Sequence, residues 1–523
     1  MFDDLVKQAE AKFRSGDLKG AYNDARYVLS RTRTNGRSHY LMSRIATLKG
    51  AHSDALKLCQ VAVTLDGPSA EYLGQLAICH FHLGALKDAW ASAVTAFDDT
   101  EVPAEVLEKL GEVFLALADH PRFLAVSRRR QAMEPSNDAI LVQVGAGYFF
   151  CGRIEEARRV LEEAIRLNPK SARAYCGLTE SRTAQPSDNA VEAITALISV
   201  EKNTFDLITL YHALAREYDG LGQIDNAIAS LKKGKDIYLS VTGYTIQADI
   251  DTFAAINRYI DASPPSPEKV SSAQPIFVVG MPRSGTTVTQ QILTNCDGVA
   301  SIGESLHFGA LVRAYAGCNS PRLVDAKTVD QRWRHLPLDA IGEKYGAYAS
   351  AMVGGAQRSV DKLPLNLLFV PLIVKALPNA RIICLRRHPL DTILGNYKLA
   401  AVAPTYAYGS SLKATATFVA ESMRLSEKMA LHYPKHFRLL DYEELASDPA
   451  VKGREIVEFC GLEWNDDVVK IEDNMSPAGS PSAAQVKSPI HPRYIGRWRK
   501  YKDHLGEAIA VLKSYGIAFG AEA

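Results

Sequence analysis

Residues 275–293 read PIFVVGMPRSGTTVTQQIL, and their types and spacing suit the binding of an oxyanion. The apolar run at 276–279 predicts a buried strand, and a loop bounded by Gly280 and Gly285 follows it. A helix is predicted from Thr286 onward. This order brings backbone N–H groups and the positive end of a helix dipole to one place, where a phosphate or sulfate group is stabilised.

The two glycines have the spacing of a phosphate-binding P-loop, but the cation is not where a nucleoside triphosphate needs it. A Walker-type loop places Lys directly after the second glycine, where it reaches the terminal phosphates. Here Thr286 and Thr287 follow that glycine, and the cation is Arg283 within the loop. We therefore expect an anion site that is not built for Mg-ATP. The alternative is a Gly-rich turn in an unrelated α/β fold.

Composition limits the class of protein. The chain has 523 residues, enough for two or more domains, and its formal net charge of +1 argues against bulk electrostatic binding to nucleic acid. No secretory signal is visible at the start, and no apolar run approaches the roughly 20 residues of a membrane helix. The eight cysteines are scattered without a C-x-x-C pair. We expect reduced thiols in a cytoplasmic protein, with neither a disulfide framework nor a metal site.

The first half of the chain repeats itself every 34 residues. The positions that keep this period are Gly16, Gly50, Gly84 and Gly152, with Ala118 at the skipped step. An alanine follows five positions after each of the four glycines, and prolines recur near the repeat boundaries. We expect a crowded helix crossing at the glycines, close helix packing at the alanines, and helix ends at the prolines.

A 34-residue period of helix pairs resembles the tetratricopeptide repeat, most clearly in GRIEEARRVLEEAIRLNPKSARAY at residues 152–175. We predict a helical superhelix of six or seven repeats over residues 1–260. The Pro- and Ser-rich residues 261–275 are predicted to be a linker. The superhelix would bind a polypeptide partner or substrate, or it would serve as a scaffold or dimerisation arm without touching substrate.

The second half, residues 276–523, alternates strand-like and helix-like segments. The predicted strands are 276–279, 381–385 and 437–440, and the predicted helices are 285–294, 366–377, 389–400, 413–432 and 450–460. This alternation predicts an α/β domain with a parallel sheet, so the whole chain is a multidomain protein of class α plus α/β. A ligand of such a sheet lies at the carboxyl ends of the strands.

Five motifs of this half together resemble the sulfotransferase family, over residues 275 to about 505. The motifs are PRSGTT (282–287), LRRHPLDTILGNYK (385–398), LLDYEEL (439–445), FCGLEW (459–464) and GRWRKY (496–501). The resemblance implies the sulfuryl donor 3′-phosphoadenosine 5′-phosphosulfate (PAPS) and no metal ion. A transferring sulfuryl group carries less negative charge than a phosphoryl group, so N–H donors, hydroxyls and cations can stabilise it without Mg²⁺.

The resemblance also implies where the donor binds. Its 5′-phosphosulfate would be held by Arg283, Ser284, Gly285, Thr286 and Thr287. The 3′-phosphate site would contain Arg387 and, eight residues later, a serine, but this chain has Gly395 there. Asn396 or Lys398 would then have to supply the hydrogen-bond donor that the serine hydroxyl would have given. The alternative for Arg387 is that its side chain faces solvent or pairs with Asp391 and does not bind the 3′-phosphate. Residues that resemble the part closing over the nucleotide are Tyr442, Arg497, Trp498 and Lys500, with local packing of Trp498 as the alternative.

The same resemblance, closest to tyrosylprotein sulfotransferases, implies catalytic roles. Glu304, 21 residues after Arg283, would be the base that deprotonates the acceptor hydroxyl, with His307 as the alternative base. Lys362 would steady the departing phosphate, and Arg283 would hold the sulfuryl group. We therefore expect a PAPS-dependent sulfotransferase that acts on a protein or peptide tyrosine. The alternatives are a carbohydrate or small-molecule sulfotransferase, a P-loop kinase acting on ATP, and a non-catalytic interaction protein.

Overall fold

The computed structural model describes residues 2–99, 101–262, 271–318, 320–400, 404–474 and 488–520. The chain forms two compact units, Met1–Pro135 and Ser136–Ala523. Every helix in the described ranges is too short or too polar to cross a lipid bilayer. The predicted linker at 261–275 lies mostly on residues 263–270, which are outside the described residues. The division into domains at 1–260 and 276–523 therefore stays a prediction.

The first unit contains antiparallel helix pairs. Its helices are α1 (Phe2–Arg14), α2 (Leu18–Arg31), α3 (Gly36–Leu48), α4 (His52–Asp66), α5 (Ala70–His82), α6 (Leu86–Phe97), α7 (Ala104–Ala116) and α8 (His120–Met133). Asp17, Asn35, Ser69 and Asp119 accept backbone N–H groups at helix starts, which is why α2, α3, α5 and α8 begin where they do.

The second unit begins with the same arrangement. Its first helices are α9 (Asp138–Phe150), α10 (Ile154–Leu167), α11 (Ala172–Ser181), α12 (Val191–Val200), α13 (Thr204–Gly220), α14 (Ile224–Thr242) and α15 (Gln247–Asp261). Six consecutive helix pairs pack together among the described residues, namely α1–α2, α3–α4, α5–α6, α7–α8, α9–α10 and α13–α14, which agrees with the predicted six or seven repeats; α11 and α12 both pack against α13.

The turn inside most pairs is made by one residue with a left-handed backbone. The glycines of the 34-residue period have φ between 72° and 88°, and Ala118 holds φ 58° at the skipped step. The expected crowding is wrong at Gly16, Gly50 and Gly84, because a Cβ there would meet no heavy atom within 4 Å. The left-handed φ is the physical reason for glycine. The alanines five positions later, such as Ala21 and Ala157, are fully buried and are the close-packed positions.

A five-stranded parallel sheet follows in the second unit. Its strands are β1 (Ile276–Gly280), β2 (Val299–Ser301), β3 (Arg358–Asp361), β4 (Arg381–Arg386) and β5 (Phe437–Asp441), in the order β2-β3-β1-β4-β5. Every residue of the central β1 is buried, as expected for a strand covered on both faces. The sequence predicted β1, β4 and β5, whereas β2 has only three residues and β3, RSVD, reads as polar.

Helices surround this sheet. They are α16 (Thr286–Thr294), α17 (His307–Ala316), α18 (Ala326–Arg332), α19 (Leu338–Met352), α20 (Val370–Ala376), α21 (Pro389–Tyr397), α22 (Leu412–His432), α23 (Tyr442–Ser447), α24 (Pro449–Phe459) and α25 (Gly506–Ser514). The predicted helix 366–377 is in fact a 3₁₀ segment, Pro364–Phe369, followed by α20. Pro371 lies in the first turn of α20, because it has no backbone N–H to donate farther along a helix.

Candidate active site

The loop between β1 and α16 has the geometry of an anion site. Gly285 is the N-cap of α16, has φ 105°, and provides no side-chain cap for the helix N–H groups. A Cβ on Gly285 would lie 2.3 Å from Cδ2 of Tyr442, so no other residue fits without displacing that ring. Arg283 also has a left-handed backbone, with φ 68°. The sequence thus folds into a tight turn, and the N-terminus of α16 has no side-chain cap.

Two side chains near α21 hold this loop. The Arg387 Nη1 donates to Arg283 O at 3.1 Å, and the Asn396 Nδ2 donates to Pro282 O at 2.8 Å. Asn396 is buried and its Oδ1 accepts a hydrogen bond from the hydroxyl of Tyr408 at 2.9 Å. Asn396 is therefore engaged in fixing the loop, and it does not supply the donor that Gly395 lacks.

A cavity of about 830 Å³ opens in front of the loop. Of the predicted site residues, its walls contain Arg283, Thr286, Thr287, Glu304, Arg387, Gly395 and Arg497. A smaller cavity of about 60 Å³ adjoins it and is lined by Gly285, Tyr442 and the 488–491 segment, together with Arg283, Thr286, Thr287 and Arg387. The structure thus brings together most residues that were predicted to hold the donor.

Positive charge dominates the part of the cavity near the loop. Burial, and then the neighbouring charges of Arg216, Arg387 and Arg497, lowers the pKa of Arg283 to about 10. Burial also lowers the pKa of Lys398 to about 8, even though Lys398 is paired with Asp219. Cations so arranged repel one another, and this repulsion is relieved when an anion binds among them.

The glycine at position 395 has a steric explanation that the sequence did not reveal. A Cβ at this position of α21 would lie 3.0 Å from Cβ and 3.3 Å from Cγ of Arg283. The absence of a side chain at Gly395 therefore leaves room for the Arg283 side chain. Lys398, one turn later near the end of α21, does line the cavity.

Glu304 and Lys362 form an ion pair beside the same cavity. The Lys362 Nζ donates to Glu304 Oε1, and the Lys362 side chain is 1% exposed whereas that of Glu304 is 26% exposed. Glu304 lines the cavity, and Lys362 lies behind it at the end of β3. The lysine backbone N–H donates to Gly303 O at 2.9 Å, which fixes the two segments together.

Asp361, next to Lys362, was missed from the sequence. It is fully buried, and burial raises the pKa of its carboxyl to about 7. The Tyr345 hydroxyl donates to it at 2.8 Å, and Asn366 Nδ2 donates at 3.2 Å. Asp361 thus anchors the end of β3 on which Lys362 stands. The sequence did not indicate Asp361, because β3 is short and its mostly polar residues show no apolar periodicity.

His307, the alternative base, is not brought to the cavity. Its ring is 2% exposed and packs against Tyr348, with ring centroids 4.2 Å apart. Burial lowers the pKa of His307 to about 4. Glu304 is therefore the candidate base with access to an acceptor.

Three other predicted residues lie outside the cavity. Ser284 is fully buried and its side chain borders a separate space of about 20 Å³ behind the loop. Trp498 follows the alternative of local packing, because the residue is 2% exposed and its ring stacks on His388 with centroids 5.3 Å apart. The exposed Lys500 does not line either cavity.

The segment around Trp498 is fixed to α21 by Asp391. The Asp391 Oδ2 accepts from Gly496 N at 2.7 Å, and Oδ1 accepts from Trp498 N at 2.9 Å. The predicted Arg387–Asp391 pair is also present, with Nη2 and Oδ2 3.7 Å apart. This pairing does not remove Arg387 from the cavity. Asp391 therefore positions the segment that places Arg497 in the cavity wall.

The repeat helices α11 and α13 also line the large cavity, which the sequence did not indicate. Their contributions are Glu180 on α11, and His212, Arg216 and Asp219 on α13. Cys176, Glu180 and His212 have ligand atoms within 4.8 Å of one another and are the group that could hold a metal ion among the described residues. Although burial opposes it, the neighbouring His212 ring, with Nε2 3.8 Å from Oε1, and the charge of Arg216 keep the pKa of Glu180 low. Glu180 thus already balances nearby cations.

Comparisons with known proteins agree with this geometry. Residues 275–466 match the model of the sulfotransferase family, and residues 140–171 and 208–239 match the tetratricopeptide repeat. An uncharacterized protein of Aquifex aeolicus (strain VF5) is 27% identical over 406 residues, covering 73% of this chain and 52% of that protein. The chain therefore spans about half the length of the curated relative that it matches.

Solved structures with local similarity are of the same two kinds. The sulfotransferase domain of the Synechococcus PCC 7002 olefin synthase is 16% identical, with a TM-score of 0.35, covering 49% of this chain and 99% of that one. MamA is 22% identical, with a TM-score of 0.27, covering 33% of this chain and 93% of MamA.

The family matches define the class of protein. The chain carries a sulfotransferase-family domain at residues 275–466, preceded by tetratricopeptide repeats. The loop after β1, Glu304, Lys362 and Arg387 all lie within residues 275–466, whereas Arg497 and the cavity residues of α11 and α13 lie outside them.

Proposed function

We propose that the protein transfers a sulfuryl group from PAPS to an acceptor hydroxyl, with a protein or peptide tyrosine as the first candidate acceptor. The observation that carries this proposal is the cavity whose walls contain both the anion loop and Glu304, an ion-paired carboxylate. An anion site and a carboxylate facing one space are what transfer of an anionic group to a hydroxyl requires.

The residues of the cavity suit a donor with two anionic ends. Arg283, Thr286, Thr287 and the first N–H groups of α16 would hold the 5′-phosphosulfate. The 3′-phosphate would be held by Arg387, Arg497 and Lys398. Lys398 would donate the hydrogen bond that a serine hydroxyl at position 395 would have donated. Tyr442, in the smaller cavity, borders the space for the nucleoside. No metal ion belongs to the proposed reaction.

Glu304 and Lys362 would act in sequence during the transfer. Glu304 takes the proton of the acceptor hydroxyl while that oxygen forms its bond to sulfur and the bond from sulfur to the donor phosphate breaks. Protonation neutralises Glu304 and weakens its ion pair with Lys362. The ammonium group is thereby released toward the charge that develops on the departing phosphate oxygen, while Arg283 and the loop N–H groups hold the sulfuryl oxygens.

Replacing Glu304 tests this assignment. We expect Glu304→Ala to lower turnover of labelled PAPS by about 10²- to 10⁴-fold, the usual contribution of a general base. Its affinity for PAP, the nucleotide left after transfer, should stay within a few-fold of the wild type in a calorimetric titration. Glu343→Ala, on the exposed face of α19, is the matched control and should behave as the wild type. Unchanged turnover of Glu304→Ala would remove Glu304 from the reaction.

The same titration separates the proposal from its alternatives. Tight binding of PAP supports the sulfotransferase, tight binding of Mg-ATP supports a kinase, and binding of neither leaves a non-catalytic interaction protein. A labelled-PAPS assay on peptide and glycan acceptors then distinguishes tyrosine from carbohydrate or small-molecule hydroxyls. Transfer to glycans alone would replace the tyrosine assignment by a carbohydrate one.

The repeats and the location of the protein complete the proposal. We propose that the repeats bind a polypeptide, either as substrate or as partner, since tetratricopeptide repeats form extended surfaces for such binding. A cytoplasmic location is also proposed, and the eight free cysteine thiols support it.

A further inference from the structure

The large cavity has one wall that does not come from the sulfotransferase-family domain. Helices α11 and α13 lie outside the matched residues 275–466, yet Glu180, His212, Arg216 and Asp219 line the same space as Arg283. All of these residues belong to the compact unit Ser136–Ala523. A repeat helix thus contributes side chains to the active-site cavity itself.

Arg216 is the cation of this wall. Its Nε donates to Thr179 O at 2.9 Å. This bond fixes the guanidinium group of α13 next to the end of α11, in the wall of the cavity. Within the described part of the chain, no carboxylate lies within the 4.0 Å ion-pair distance of Arg216. A half-buried guanidinium that lines a cavity without an ion pair retains most of its capacity to bind an oxyanion.

Arg216 also faces the loop cation. Of the charged neighbours that lower the pKa of Arg283, Arg216 has the largest effect, ahead of Arg387 and Arg497. Both guanidinium groups line one cavity and repel each other, and the single carboxylate of Glu180, which interacts with both, offsets only part of this positive charge. The charge arrangement thus marks the space between Arg216 and Arg283 as a place for a phosphate or sulfate group.

Asp219 fixes the position of Arg216 on the transferase side. It lies three residues later on the same face of α13 and accepts hydrogen bonds from Lys398 Nζ and from the Tyr501 hydroxyl. These bonds join α13 to the end of α21 and to the 3₁₀ segment Arg497–His504. Arg216 is thus held next to a partly buried polar network that joins α13 to the end of α21.

We propose that Arg216, a residue of the repeats, is an anion-binding residue of the transferase site and holds a phosphate or sulfate oxyanion together with Arg283. The proposal rests on the proposed function for the identity of the donor, but the anion site itself is defined by the two guanidinium groups. The oxyanion comes either from the donor nucleotide or from an anionic group of the acceptor. Both sources share the chemistry that a guanidinium pair recognises.

Titrations of Arg216→Met and Arg216→Lys test the proposal. Sodium sulfate and inorganic pyrophosphate are the first probes, with thermal stability as the readout, and PAP is the second, with calorimetry. We expect Arg216→Met to lose the stabilisation by these anions and, if the donor supplies the oxyanion, to weaken PAP binding about 10- to 100-fold, as for one charged hydrogen-bonded contact. Arg216→Lys keeps the charge and should retain part of the effect. Arg173→Ala, an exposed arginine on α11, is the control.

The outcomes separate the two proposals. If sulfate or pyrophosphate stabilises the wild type and PAP does not, the donor assignment fails while the anion site stands. If Arg216→Met binds PAP normally but shows a KM for acidic peptide acceptors raised about 10-fold or more, relative to neutral ones, the oxyanion belongs to the acceptor. If both Arg216 variants match Arg173→Ala in anion stabilisation, PAP affinity and acceptor KM, Arg216 is not an anion-binding residue. Equal melting temperatures without ligand establish that the variants are folded.

Discussion

The glycines of the repeat turns and the glycines of the transferase site differ in what surrounds them. In the repeats, a Cβ on Gly16, Gly50 or Gly84 would meet no heavy atom within 4 Å, and only the left-handed φ requires glycine. Around the anion loop, a Cβ on Gly285 would lie 2.3 Å from Tyr442, and one on Gly395 would lie 3.0 Å from Arg283. The repeat turns therefore constrain only the backbone, whereas the site also constrains the space beside its glycines.

This contrast explains why one region tolerates substitution and the other does not. Ala118 takes the place of a repeat glycine and holds φ 58°, at a cost of about 1–2 kcal/mol for a left-handed alanine. No comparable exchange fits at Gly285, because the methyl group would overlap the ring of Tyr442 as well as strain the backbone. A substitution at a repeat-turn glycine should then act through backbone strain alone, whereas a substitution at Gly285 should also displace the neighbouring side chain.

The largest effect is expected for Gly285→Ala. A left-handed alanine costs about 1–2 kcal/mol and an overpacked methyl group about 1–3 kcal/mol, so the variant should unfold at a lower temperature. Displacement of Tyr442 and of the N-cap of α16 should also weaken PAP binding by about 100-fold or more, since several N–H contacts are lost together. Thermal melting and calorimetric titration with PAP measure the two effects.

Gly317→Ala is the matched control for this variant. Gly317 follows α17 with φ 63°, and a Cβ there would meet nothing within 4 Å. It should lose stability through the backbone alone and bind PAP as the wild type does. Equal PAP affinities of Gly285→Ala and Gly317→Ala would contradict the view that Gly285 is required for steric reasons as well as for its left-handed backbone.

An intermediate effect is expected for Gly395→Ser, which restores the serine that the family resemblance implies. Because Cβ of the serine would press on Cβ and Cγ of Arg283, we expect turnover to fall about 10-fold, the effect of a displacement worth about 1.4 kcal/mol. Gly395→Ala introduces the same Cβ without the hydroxyl and should lose a similar amount. Tighter PAP binding by the serine variant than by the wild type would mean that the missing hydroxyl is a deficiency and that Arg283 can move aside.

The fold was predictable where local patterns suffice. The 34-residue period gave the helix pairs, and the buried runs of β1, β4 and β5 gave the centre of the sheet. The residues after β1 predicted the anion loop, since strand, glycines and helix start are all local features. The short strands β2 and β3 were missed because neither presents a long apolar or alternating run.

The site was predictable only within the motifs. Arg283, Glu304 and Arg387 reach one cavity, but no spacing rule places Arg216 of α13 opposite Arg283, 67 residues later in the chain. The burial of Trp498 was equally hidden, since its partners His388 and Asp391 are more than 100 residues away. Contacts between distant segments depend on packing and charge complementarity that a single sequence does not display.

The smallest effects are expected in the repeat turns, with opposite signs at two equivalent positions. Gly84→Ala places a methyl group in open space at φ 72° and should destabilise the α5–α6 pair by about 1–2 kcal/mol, from the backbone alone. Ala118→Gly removes that strain from the α7–α8 pair but adds about 0.5–1 kcal/mol of flexibility to the unfolded chain, so its net stabilisation should stay below about 1 kcal/mol. Hydrogen exchange of the full chain reports both changes locally, and PAP affinity should not move. A destabilised Ala118→Gly variant would show that the alanine methyl group contributes packing at this turn, and the repeats would then share the spatial constraint that distinguishes Gly285.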